Sequence, residues 1–195
     1  MKFICGNFIY IKSNEDSLEE DFLGEDGLEV KDKGRRVLKN DNVIGLSYGL
    51  LEGVDNDGNA HRYGHWHAQW AYQIADNIWA EAMVGQAVVG QFPSDTLTTQ
   101  VTSGTFRLKY AIKAPMYSII LPYLGYQQVS ATSPDAGDAN AGSAAAAEKE
   151  LQNLDNMKKS HLIFGVTILK RIVPGWFLRA DLGSDFLSTG LALEF

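Results

Sequence analysis

Three histidines in the stretch "HRYGHWHAQWAYQI" have the residue type and spacing best suited to chemistry. His61, His65 and His67 share one parity, and in an extended chain residues two apart stand about 6.5–7 Å from each other on one face. Imidazoles so placed could reach a single zinc or copper ion. No carboxylate with ligand spacing accompanies them. The single cysteine, Cys5, excludes both a cysteine-based zinc site and an internal disulfide. The expected role of the three is therefore hydrogen bonding, with no metal and no cofactor. Ser47, Ser103, Ser118 and Ser188 sit in no recognisable nucleophile motif, so no catalytic residue and no enzymatic activity are expected.

The charged residues of the alternating segments carry more meaning. Glu81, Asp181 and Glu194 stand against Arg107, Lys109, Lys113 and Arg179, all at positions that alternate with apolar residues. Charges removed from water must be paired. The expectation is an internal ion-pair network of these seven, with Glu81 near Lys109 and with Arg179 and Asp181 neighbours on one face.

The elements that would position them read as strands. In "VIGLSYGLLEG" Ile44, Leu46, Tyr48 and Leu50 share a parity; in the histidine stretch Trp66, Ala68, Trp70, Tyr72 and Ile74 do so. Phe106, Leu108, Tyr110 and Ile112 oppose Arg107, Lys109 and Lys113. Leu162, Phe164, Val166 and Ile168 oppose Gly165 and Thr167. Trp176, Leu178, Ala180 and Leu182 oppose Arg179 and Asp181. The chain ends on "LSTGLALEF", with Leu187, Thr189, Leu191, Leu193 and Phe195 on one side. Two further stretches, "IWAEAMVGQAVVGQF" and "YSIILPYLGYQQV", bring the expected strands to eight. Their connections alternate between short ("ADN", "APM", "RIVPG") and long. The longest, about 131–160, contains an alanine- and glutamate-rich segment that favours a helical turn or two.

Composition narrows the class. Of 195 residues 45% are hydrophobic and 21% charged, and no run is long and apolar enough for a membrane-crossing helix. Nineteen glycines and an aromatic share of 11% favour β structure. A net charge of −7 without a basic stripe argues against nucleic acid. Residues 1–42 form a charged N-terminal extension, acidic and then basic, expected to be weakly ordered; a short hairpin over Leu28–Lys39 fits it. The opening "MKFICGNFIYIK" makes a poor secretory signal, so export would need a leader that this sequence does not show. Residues 43–195 form the strand domain.

The apolar face can meet a core or a lipid. In a soluble barrel of lipocalin type it would enclose a small apolar ligand; in a membrane barrel it would meet lipid, with the polar face inside. Three features favour the second. The rings of Trp66, Trp70, Tyr72, Phe106, Tyr110 and Trp176 suit an outer surface at a membrane interface better than a small interior. The opposite face is rich in small and polar residues, with few charges. Several strands reach about 9–14 residues, and about 9–11 tilted residues cross a bilayer.

On these residues, "LSTGLALEF" resembles the C-terminal signature of bacterial outer-membrane barrels, and residues 43–195 resemble the small eight-stranded barrels of the OmpA, OmpX and OmpW kind. The resemblance implies an all-β, antiparallel, up-and-down transmembrane barrel in the cell outer membrane of a Gram-negative bacterium. Its short turns and the extension would be periplasmic and its long loops external. It implies outer-membrane lipid and lipopolysaccharide as surroundings. It also implies that the barrel-assembly machinery reads Leu191, Leu193 and Phe195. A structural or surface-interaction role with a filled lumen is expected; a narrow solute channel is the other membrane reading, and an external-loop partner is unspecified.

Overall fold

The computed structural model of the protein describes residues 37–137, 143–184 and 186–195. Nine strand segments follow one another: β1 Asn42–Val54, β2 Ala60–Ala75, β3 Ile78–Gly90, β4 Thr98–Tyr110, β5 Ile112–Ala114, β6 Ser118–Thr132, β7 Lys159–Val173, β8 Trp176–Gly183 and β9 Phe186–Glu194. One helix, α1 Ala144–Met157, lies between β6 and β7. β4 and β5 are one stave interrupted at Ala111, since both pair with β6. The result is eight staves.

Each stave pairs antiparallel with its neighbour in sequence, and β1 pairs with β9 to close the ring, Ile44 opposite Leu193 and Leu50 opposite Leu187. Period-2 side-chain alternation then fixes an inside and an outside. β4 alternates exposed and buried along its whole length. Short connections at 76–77, 115–117 and 174–175 gather at one end. Those at 55–59, 91–97 and 133–158 gather at the other. The β8–β9 connection is short although it lies at the long-loop end. β1 therefore loses its β9 partner beyond Leu51, and β7 pairs with β8 only from Gly165 onward.

Apolar clusters fill both ends of the lumen. At the short-turn end Val37 and Leu38 turn inward and pack with Trp79, Leu121, Leu169 and Phe177. Val37–Lys39 form bends, not the end of a hairpin strand; the remainder of that expected hairpin lies outside the described residues. At the long-loop end Phe92 swings in from the β3–β4 loop and meets Leu51, Val101, Leu154 and Met157. The last two come from α1, which runs four turns rather than one or two. Ser143 caps it, accepting a hydrogen bond from the Ala146 backbone N–H. Glu150, Asn153, Leu154 and Met157 recur at helical spacing and form its buried face.

Large rings are thus not confined to the outer surface: Trp79 and Phe177 are fully buried inside. Glycines on the inner face make the room. A Cβ at Gly85 would collide with the His65 ring, and one at Gly125 would stand 2.9 Å from Arg107 Cγ. At Gly104, on the outside, a Cβ would meet nothing within 4 Å. Gly125→Val should accordingly lower unfolding stability in detergent by about 1–3 kcal/mol through overpacking. Gly104→Val should leave it unchanged or slightly raised, as read from urea unfolding of the two variants side by side.

Candidate functional site

Between the two apolar clusters lies a layer of charge. Glu81 on β3 stands directly opposite Arg107 on β4, with Lys109 one inward position along. From the far wall, β8 sends in Arg179 and Asp181. Arg179 is bidentate to Glu81, Nη1 to Oε2 at 2.6 Å and Nη2 to Oε1 at 3.0 Å. It also donates to both Asp181 oxygens, at 2.7 and 2.8 Å. Lys109 Nζ reaches Glu81 at 2.7 Å and the Thr167 hydroxyl at 2.8 Å, and Thr167 donates onward to Asp181. Arg107 Nη1 lies 3.2 Å from Asp181 and 3.5 Å from Glu81. Its guanidinium carbon stacks 4.1 Å above the Tyr123 ring, with Phe186 at 4.7 Å.

Five of the seven expected network residues come together there, all buried. Lys113 does not: it sits on β5 beside the short turn and is exposed. Glu194 is buried but at the short-turn end, 3.6 Å from Arg171 and accepting from the Asn40 backbone N–H at 2.7 Å. It stands four positions along β9 from Gly190, the residue opposite Arg179, too far to join the layer. Sequence reasoning missed Arg171, Thr167 and Tyr123 as partners. All three share the inward parity of their strands, and that parity was the available signal.

The histidines divide. His61 is exposed at the start of β2, its ring tilted against that of Tyr63 at 4.7 Å. His65 and His67 are buried in the lumen with ring centroids 5.7 Å apart. Their Nε2 atoms lie 3.0 Å from the Ser103 hydroxyl and 3.4 Å from the Ser188 hydroxyl. Ser188 also donates to Asp181 at 3.2 Å. Serine, histidine and aspartate therefore meet, but not as a triad. A triad requires the carboxylate on the histidine Nδ1; here Asp181 accepts the hydrogen bond of the Ser188 hydroxyl, and His67 Nδ1 has no hydrogen-bond partner among the described residues. Among the described residues no three His, Cys, Asp or Glu are arranged to hold a metal ion.

The loop end carries an open cleft of about 1090 Å³ between the 55–59 and 91–97 loops and α1. Asp55, Asp57, Asp95 and Glu150 line it, with Lys149 3.8 Å from Asp57. The Asn59 and Asp57 backbone N–H groups donate to Asp55. That donation, from Asn59 foremost, holds its carboxyl below the usual carboxylate range.

The outer face is apolar over a continuous band. Ile44–Leu50, Trp66–Ile74, Phe106–Ile112 and Ile120–Tyr126 present large exposed hydrophobics along their outward positions, as do Leu187, Leu191 and Phe195 on β9. Val84 is 68% and Phe164 67% exposed. Above the band, toward the long loops, the outward residues turn polar: Glu52, Arg62, Gln86, Thr102, Gln128, Ser160 and Ser184. All six expected interface aromatics point outward. Tyr72, Trp70, Tyr110 and Trp176 lie near the short turns, where the Trp70 indole donates to Asn42 at 3.1 Å. Trp66 and Phe106 stand roughly 10–15 Å further along their tilted strands, at about 3.3 Å per residue. The apolar face is therefore outside, which removes the lipocalin reading. Leu191 and Phe195 belong to the same exposed face, and the Phe195 N–H donates to the Asn42 carbonyl at 3.0 Å.

Substitution of the charge layer has a direct consequence. Asp181→Leu strands Arg179 and Arg107 without one of their two carboxylates, and losing one partner of a buried pair costs about 3–5 kcal/mol. Lys113→Ala, on an exposed side chain, should stay within about 0.5 kcal/mol. Urea unfolding in detergent micelles compares the two. Thr167→Lys, at a lumen position whose polarity suggests tolerance, should also destabilise, since Thr167 is buried and bridges Lys109 to Asp181.

No family model matches the chain, and no curated protein matches it in sequence. Among solved structures, Neisserial surface protein A is similar at a TM-score of 0.53 with 9% identity, over 79% of this chain and 97% of that one. Ail, the attachment invasion locus protein of Yersinia pestis, aligns over 80% of this chain and 100% of its own at 11% identity and a TM-score of 0.46. The N-terminal β-barrel domain of Pseudomonas aeruginosa OprF aligns over 78% and 95% at 11% identity and 0.40. The likeness to the Neisserial protein is one of architecture, and the chain has the closed, eight-stranded, all-antiparallel fold of the small outer-membrane barrels.

Proposed function

We propose that residues 42–195 are an integral outer-membrane barrel with its long loops outside, serving a structural or surface-interaction role. The observation that carries this reading is the inversion of its faces. The outward side chains form a broad apolar band rich in aromatics, while the inward ones hold buried ion pairs. Water would have to solvate that band in a soluble protein, and contiguous apolar patches beyond a few hundred Å² are rare on soluble monomers. A bilayer needs it: apolar residues meet lipid, and the rings of Trp70, Tyr72, Tyr110 and Trp176 suit the interface at the short-turn end. The ion-pair layer and the apolar clusters at either end favour a filled lumen over a solute channel. In this setting lipid and lipopolysaccharide surround the wall, and the barrel-assembly machinery reads Leu191, Leu193 and Phe195.

Expressed with a leader, the protein should fractionate with outer membranes and migrate differently on gels when unheated. Recovery as a monodisperse protein without detergent would overturn the reading. Ala68→Arg, on the lipid face, should cost about 2–4 kcal/mol if it lies near the midplane, measured by refolding into vesicles. Deleting Phe195 should reduce surface assembly in cells far more than refolding yield into detergent. Equal losses in the two assays would leave Phe195 as one more lipid-facing side chain.

A further inference from the structure

The strand registers bring one row of outward residues together across five staves: Leu46 pairs with Ala68, Ala68 with Val84, Val84 with Gly104, and Gly104 with Gln128. The next row toward the long loops is Tyr48, Trp66, Gln86, Thr102 and Ser130. The row on the other side carries Trp70, Phe106 and Tyr126. Small side chains at Ala68 and none at Gly104 lower the middle row between taller ones. The result is an oblique trough of about 640 Å³ on the outer wall.

Its two ends differ in chemistry. Leu46, Ala68 and Val84 lie within the apolar band, so this half is covered by an acyl chain wherever the band is covered by lipid. The other half, toward the long loops, offers two amides and two hydroxyls, from Gln86, Gln128, Thr102 and Ser130. Among the described residues no Lys, Arg, Asp or Glu lines the trough. A phosphate would find no cation there. Sugar hydroxyls and acyl-amide groups would find donors and acceptors of matching kind, beside the Trp66 ring at the interface.

We infer that this trough seats one glycolipid of the outer leaflet, its acyl chain along Leu46, Ala68 and Val84 and its uncharged sugar–amide portion against Gln86, Thr102, Gln128 and Ser130. The inference rests on the membrane reading above and adds a site to it. Dephosphorylated lipid A and a phosphatidylglycerol of matched chain length are the probes, each offered to the full chain in detergent. Lipid retention per barrel is read by native mass spectrometry, after the heat-dependent gel shift has shown the barrel folded. Wild type should retain one dephosphorylated lipid A and at least tenfold less phosphatidylglycerol. Gly104→Leu, which fills the floor where a side chain meets nothing, should lose that retention about tenfold, as should Gln86→Leu combined with Gln128→Leu. Thr189→Leu, outward on β9, should retain it. Equal retention of the two lipids, or undiminished retention in Gly104→Leu, overturns the trough while leaving the membrane barrel intact. Absence of a gel shift together with detergent-free solubility overturns both.

Discussion

A β-sheet has two edges, and each edge is a row of N–H and C=O groups in need of partners. In hydrocarbon no water supplies them, so a sheet there must close on itself. Here the joint is β1 against β9, and it runs from Val43 opposite Glu194 to Leu51 opposite Phe186. Once the ring closes, the period of two decides everything else. Each residue is committed to the lumen or to the outside, and a slip of one position would exchange the faces along that strand. The ion-pair layer, the apolar band and the outer trough are all readings of one register.

Closure also sets the difficulty of the interior. Eight staves enclose little space, yet two arginines, a lysine, two carboxylates, Trp79 and Phe177 are inside. Glycines opposite the bulky groups supply the volume, as Gly125 does for Arg107. Dense mutual hydrogen bonding offsets the desolvation of the charges: Glu81 alone receives Arg179, Lys109 and Arg107. Removing any one charge leaves the others without their compensation. The layer is thus a poor place for a conduit and a rigid spacer between the strands it bridges.

Much of this was legible because alternation is a local signal. Eight staves, the outward aromatics and the five-residue heart of the charge layer follow from parity, and the short and long ends from the lengths of the connections. Parity would also have put Trp79 and Phe177 inside, since they share it with Glu81 and Arg179; the prior that small barrels hold small side chains hid them. Lys113 and Glu194 carry the right parity but the wrong height, and height depends on strand tilt and on where each turn falls. Phe92 closes a stretch that reads as strand, and Val37 and Leu38 close the expected hairpin, yet in the structure all three lie outside the strands. Their inward turn is dictated by the shape of the hole they fill, which exists only once the staves are assembled. The full length of α1 was understated because its buried face, Glu150 to Met157, gains its stability from the lumen mouth beneath it rather than from propensity.

The segment before β1 bridges both of that strand's neighbours. The Asp41 carbonyl accepts from the Gln73 backbone N–H on β2, and the Asn40 N–H donates to Glu194 on β9. Val37 and Leu38 meanwhile occupy the space those three strands share with the far wall. Before β9 arrives, half of that seat is missing. The arm can therefore dock completely only as the first and last strands join, and its docking contributes binding energy to the join itself. The chain thus holds a clasp before β1 whose complete seat exists only in the closed ring, so that full burial of Leu38 and the joining of β1 to β9 stand or fall together.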